Sequence, residues 1–279
     1  MYEEWVDAST LDPSHYSHVF FICGPFTKRM MEKRWTLLKR FAHCTFVGVN
    51  LSMIADLDDY NPFEVLIERD GSHCVRPDLS FLQIEPRVPV VGLCLVESQR
   101  EYGSRQRHSQ ATALLHDLIL RSGVAAIEVD TRLGPNPEKM PDHGFRSPSQ
   151  FESAVARFDV VLTTRLHGMV LALKNGVPVI AIDAVSGGDK VSRQAREICW
   201  PEVFDVDMVT SQDLDHALER CLLPDASERA QACADRAKKF WEGFEGAFLS
   251  AMEVSPNPAL RSSLSFRPGL LKRLRTRLI

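Results

Sequence analysis

Between residues 88 and 222, short apolar runs closed by glycine, proline or a capping residue alternate with amphipathic stretches of helical period. Strands are expected over 88–96 (VPVVGLCLV), 124–130 (VAAIEVD), 158–164 (FDVVLTT), 177–183 (VPVIAID) and 202–206. Helices are expected over 106–121, 147–157, 166–175, 190–198 and 212–222. Strand runs that are apolar throughout are buried on both faces. When helices join them, they pair in parallel, with helices on both sides of the sheet. This half is therefore expected to be a layered α/β domain.

The preceding residues carry a shorter version of the same pattern. HVFFIC (18–23) reads as a strand closed by the Gly24-Pro25 turn, 26–41 as an amphipathic helix, TFVGVNL (45–51) as a second strand, and FEVLIERD as a third ending at Asp70. The segment IEPRVP is a plausible linker. A chain of 279 residues has room for about two domains. The expected division is a short first domain over 1–86, a second over 87–225, one long helix over 226–252 that returns across the first domain, and a Pro- and Ser-rich linker with a basic tail over 253–279.

The formal charge of −4 conceals an uneven distribution, since Arg261, Arg267, Lys272, Arg273, Arg275 and Arg277 are matched by no acidic residue after position 260. Residues 1–260 hold 27 basic and 37 acidic groups, and a body near −10 argues against a general nucleic-acid binder. In the tail, GLLKRLRTRLI places Leu270, Leu271, Leu274 and Leu278 on one helical face among cations. That arrangement suits either peripheral contact with an anionic membrane or a solvated or partner-docked tail. Seven cysteines without metal spacing read as buried thiols in a reducing compartment, and no metal site is expected. With no signal-peptide pattern and no apolar run of spanning length, the chain reads as cytoplasmic.

In an open parallel sheet, functional groups collect where strand carboxyl ends meet the next helices. Two consecutive units here have heavily loaded loops. In DVVLTTRLHGMVLALKNGVP, Thr164 is the expected helix cap, followed by Arg165, Leu166 and His167 in the first turn. Free N–H groups, a positive dipole end and a bidentate arginine make such a place an anion site with an imidazole inside it. In VPVIAIDAVSGGDKVSRQAREI, Gly187 and Gly188 permit close backbone approach, Asp189 is the expected cap, and Lys190, Arg193 and Arg196 follow. If the two strands are neighbours, Arg165, His167 and Lys190 converge on one edge. Read alone, Arg165 is equally a structural partner for Asp159 or Asp183. In the first domain, Arg69, Asp70 and Asp78 read as either cleft residues or a surface ion pair.

The run TTRLHGMVLALKNGVPVIAID resembles the signature of the polysaccharide pyruvyl transferase family. The Gly187-Gly188-x-Lys190 loop, ICGPF, the Arg69-Asp70 pair and Pro77-Asp78 are similar to further elements of that family, so the likeness spans about 19–206. Against the family pattern the first domain is short, with only six residues between Asp70 and Pro77. The resemblance implies two Rossmann-like domains facing across a cleft, as in GT-B glycosyltransferases. It further implies transfer of a pyruvyl group from phosphoenolpyruvate to a sugar or lipid-linked oligosaccharide acceptor in exopolysaccharide assembly, with no cofactor. In that scheme His167, Arg165 and Lys190 are catalytic, and Arg69, Thr164, Leu166, Gly187, Gly188 and Arg193 bind the donor. The alternatives are a GT-B glycosyltransferase using a nucleotide sugar and a non-catalytic paralogue.

Overall fold

A computed structural model describes residues 6–96, 99–132 and 145–255. Its contacts divide the chain into two units, one ending at Pro86 and one beginning at Arg87. The first contains β1 (His18–Phe26), α1 (Lys28–Leu38), β2 (Thr45–Met53) and β3 (Val65–Asp70), forming a parallel sheet in the order β1-β2-β3. Thr27 caps α1, whose Met31 and Leu38 join Phe26, Phe41, Phe46, Leu51, Met53 and Phe63 in a core on one face of the sheet. Phe21 packs its ring against Phe26, Phe46 and Phe63 at centroid separations of 5.7, 5.6 and 5.3 Å. Phe20, Ile22, Val65 and Ile67 are exposed. The one helix between its strands, α1, packs on the core face.

The expected turn at Gly24-Pro25 is instead part of β1. Cys23 and Gly24 take positive φ, as does Asn50 beside them in β2. The extra residues bulge out together, and pairing resumes at Gly24 with Leu51.

The second unit runs β4 (Val90–Cys94), α2 (His108–Ser122), β5 (Ala125–Glu128), α3 (Pro148–Val155), β6 (Val160–Thr163), α4 (Leu166–Lys174), β7 (Val179–Asp183), α5 (Lys190–Ile198), β8 (Val203–Asp205) and α6 (Ser211–Cys221). All five strands are parallel, in the order β5-β4-β6-β7-β8. The expected strands and helices are therefore present, with most ends shifted by one to a few residues. Local chemistry sets several boundaries: Ser147 caps α3 ahead of Pro148, and Thr210 and Asp213 form a reciprocal capping box on α6. Residues of β6 and β7 are fully buried, consistent with their unbroken apolar character. The chain leaves β4 toward β5, then returns past β4 to β6. The carboxyl ends of β4 and β6 thus mark the topological switch point, where such sheets open a crevice.

Two expectations are corrected. The single helix over 226–252 is two helices, α7 (Ala226–Phe240) and α8 (Phe244–Met252), separated where Gly243 takes φ +84°. Within its own unit α7 packs on α4 and α5. The seven thiols are all free, but Cys23 and Cys199 are exposed rather than buried. Among the described residues no helix is long and apolar enough to cross a membrane, and the basic tail lies outside the described residues.

Candidate active site

The carboxyl end of β6 is tied to that of β4 by two threonines. Thr163 Oγ1 donates to the Cys94 carbonyl (2.6 Å) and accepts from the Arg165 N–H (2.9 Å), while Thr164 Oγ1 accepts from the Val96 N–H (2.9 Å). Thr164 is therefore not the helix cap, and its buried hydroxyl is committed to the segment just after β4. Arg165 occupies the cap position of α4 with no side-chain cap bond, and among the described residues the first-turn N–H groups have no side-chain acceptor. Leu166 is half-buried against the core and His167 is exposed. Among the described residues, His167 has no hydrogen-bond partner.

Arg165 folds back over the switch point with its side chain only 12% exposed. Its Nε donates to the Leu95 carbonyl (2.5 Å), and Nη1 reaches Thr131 Oγ1 (3.4 Å) and the Asp130 carboxylate (3.5 Å). Its partner is thus Asp130, not Asp159 or Asp183. Burial pushes the Asp130 carboxyl up, yet hydrogen bonds from Arg132 and the charge of Arg165 hold it below its ordinary value. Gly168 underlies this arrangement: a Cβ there would fall on Thr163 Oγ1 and lie 3.1 Å from Cys94 Sγ. Gly168→Ala is expected to cost about 1–3 kcal/mol in urea denaturation, because the displaced threonine can no longer hold the Arg165 backbone. A loss below about 0.5 kcal/mol would contradict that packing.

The loop after β7 is equally constrained. Gly187 and Gly188 both adopt left-handed φ (+76° and +72°), which β-carbon-bearing residues rarely do. Arg105 donates to the carbonyls of Ser186 (3.0 Å) and Gly188 (3.1 Å), and the Arg107 N–H donates to the Ala184 carbonyl (2.8 Å). The β4–α2 loop is thereby clamped against the β7–α5 loop. Asp189, the expected cap, makes no cap bond. Asp183 does so from within the core, 1% exposed, accepting from the N–H groups of Asp189 (2.7 Å), Ser192 (2.9 Å) and Val185 (3.3 Å). Two N–H groups at the α5 start are thus already satisfied by a carboxylate. Lys190 Nζ sits over the Tyr102 ring, 5.5 Å from its centroid. Arg193 is 73% exposed beside Asp189 (3.7 Å).

Because β6 and β7 pair directly, both loops open on one edge. Among the described residues neither Arg165 nor His167 bonds to Lys190. Arg165 belongs to a group with Asp130 and Thr131; Lys190 belongs to another with Tyr102 and His108. His108, which the sequence pattern did not single out, begins α2 and is 6% exposed. Burial, reinforced by the charge of Lys190 and opposed by Glu101 and Asp183, lowers its proton affinity.

In the first unit, Arg69 bonds Asp70 (2.9 Å), Asp78 (2.8 Å) and Ser52, so all three guanidinium nitrogens are engaged. Asn50 adds a bond to Asp78 (3.2 Å), and Asp78 itself accepts from the Ser80 N–H (2.9 Å). The ion-pair reading therefore describes Arg69 within its unit, with one N–H of each guanidinium nitrogen committed to Asp70, Asp78 or Ser52.

Residues 98–184 match the polysaccharide pyruvyl transferase family. The matched stretch contains Tyr102, His108, Arg165 and His167 and ends at Ala184, short of Gly187, Gly188, Lys190 and Arg193. No curated relative matches the chain. Solved structures with similarity include the glycotransferase of kitacinnamycin (12% identity, TM-score 0.39, covering 76% of this chain and 55% of that one). Another is the spinosyn forosaminyltransferase (16%, 0.35, 76% and 58%). A third is a Listeria monocytogenes protein described as a UDP-N-acetylglucosamine 2-epimerase (10%, 0.34, 85% and 76%). The chain thus spans little more than half the length of the first two.

Proposed function

We propose that this protein transfers the pyruvyl group of phosphoenolpyruvate to two hydroxyls of a sugar in a polysaccharide or its precursor, forming a cyclic ketal. The observation that carries this reading is the family match across the Arg165-Leu166-His167 loop, together with the uncapped start of α4 at the switch point. An exposed imidazole there is free to serve a ligand, since no described residue claims it.

His167 acts as general acid, protonating the methylene carbon of the enol ester while one sugar hydroxyl adds to the adjacent carbon. The hydroxyl proton passes back to the imidazole. The second hydroxyl then displaces phosphate, which departs with that hydroxyl's proton. The methylene has become a methyl group, two C–O bonds to sugar have formed, and one C–O bond to phosphate has broken. Free N–H groups of α4 and the part of the Arg165 fork left over from Leu95 and Asp130 hold the substrate anion, and Lys190 on the same edge offsets charge on the leaving group.

Calorimetric titration with phosphoenolpyruvate tests the site. Binding is expected in the wild type and about ten-fold weaker in Arg165→Lys, which keeps the charge but loses the planar fork. Binding of a nucleotide sugar, with none of phosphoenolpyruvate, would replace this reading by a glycosyltransferase.

A further inference from the structure

We infer that His108 and Lys190 form a phosphate-binding subsite at the start of α2, a role that the R-L-H loop does not cover. Three observations converge on it. His108 Nδ1 is fully buried and, among the described residues, has no hydrogen-bond partner, although the residue is 94% removed from solvent. Buried polar atoms in folded proteins are otherwise almost always paired, so an orphan at a sheet's carboxyl edge marks the place of a missing partner. The orphan also stands in the first turn of a fifteen-residue helix whose cap residue, Arg107, makes no side-chain cap bond. Side chains lean toward the helix N-terminus, which puts the imidazole on the side of that turn's N–H groups.

The third observation is the charge of that space. Lys190 is close enough to depress the proton affinity of His108, and its ammonium is held over the Tyr102 ring, with no carboxylate bonded to it among the described residues. A neutral imidazole, an ammonium and a helix N-terminus together repel a metal cation and accept an anion. The carboxylates that act on His108 are Glu101 on its own loop and Asp183, whose carboxylate is committed to the start of α5, and Arg107 adjoins it in sequence. The clamp between Arg105 and the Ser186 and Gly188 carbonyls fixes the two loops that lead into α2 and α5. A phosphate group, with several acceptor oxygens, can take Nδ1–H, the ammonium and a helix N–H together, which a single carboxylate oxygen cannot. The inference rests on the proposed function only for which phosphate ester occupies the site.

The test is calorimetric titration of the whole chain with inorganic phosphate, with pyruvate as a carboxylate control, for the wild type, His108→Leu and His108→Asn. Thermal midpoints are measured in phosphate-free buffer. Phosphate is expected to bind the wild type in preference to pyruvate, and His108→Leu to weaken it about ten-fold or more. His108→Asn, which keeps a polar atom near the Nδ1 position, is expected to stay within about three-fold. The midpoint of His108→Leu without phosphate should equal or exceed that of the wild type, since an unpaired polar atom has been removed; a purely structural histidine would lower it. Unchanged phosphate affinity in His108→Leu, or no phosphate binding by the folded wild type, overturns the inference. Phosphate binding that depends on His108 in a protein without phosphoenolpyruvate turnover would leave the subsite standing and remove the pyruvyl reading. Normal turnover with His108-independent phosphate binding would do the reverse.

Discussion

Asp183→Ala is expected to lower the stability of the protein by about 3 kcal/mol in urea denaturation, the largest loss for any one residue of the candidate edge. The carboxylate is 1% exposed and receives three backbone N–H groups, two of them at the start of α5. Hydrogen bonds to a charged acceptor are worth about 1.5–3 kcal/mol, and truncation leaves their donors unpaired. Trp200, which donates its indole N–H to the Val179 carbonyl (2.8 Å) in the same strand, is a fluorescence reporter of the transition. Because the same bonds set where Lys190 begins α5, phosphate affinity is expected to fall with stability. Asp183→Asn, which retains one acceptor oxygen, should lose roughly half as much. A loss under about 1 kcal/mol for the alanine variant would mean that the α5 start is held by something other than this buried cap.

His167→Gln is expected to have the opposite profile, with stability unchanged and phosphoenolpyruvate-dependent phosphate release reduced about 10²- to 10⁴-fold. Stability should hold because the side chain is exposed and has no hydrogen-bond partner among the described residues. Activity should fall because glutamine preserves polarity and approximate size but cannot deliver a proton to carbon. The contrast with Asp183 separates a residue that builds the edge from one that uses it. Turnover within about three-fold of wild type, measured on a folded variant, would remove His167 from the acid role.

How much of this was legible depended on whether the physics was local. The strands of the second unit declare themselves because a buried parallel strand is apolar along its whole length and is closed by turn residues, as with VPVIAID before its Gly-Gly loop. Arg165 and His167 were legible for a similar reason: a strand, a two-threonine turn and a helix start adjoin in sequence. What was missed involves partners that only the fold supplies. Asp189 sits where a cap should, but Asp183, six residues earlier and at the end of β7, reaches the helix start from below. For Arg69 the ion pair with Asp78 was one of two readings, but its bond to Ser52 came only with the fold. His108 carries no pattern at all; its distinction is a buried Nδ1 with no hydrogen-bond partner among the described residues, which only the fold reveals. The break between α7 and α8 was obscured because Phe240, Trp241, Phe244 and Phe248 continue an apolar run across it, although Gly243 was the visible signal.

The proposed chemistry has a stoichiometry that a single measurement reads. Phosphoenolpyruvate labelled in its carbon skeleton, incubated with the protein and a panel of sugar acceptors, should yield one phosphate for each pyruvyl group fixed to sugar, in an acid-labile ketal with a methyl group and a free carboxylate. Both yields should fall together in His167→Gln. Absence of phosphate release from phosphoenolpyruvate with every acceptor, alongside glycosyl transfer from a nucleotide sugar, would contradict the pyruvyl assignment.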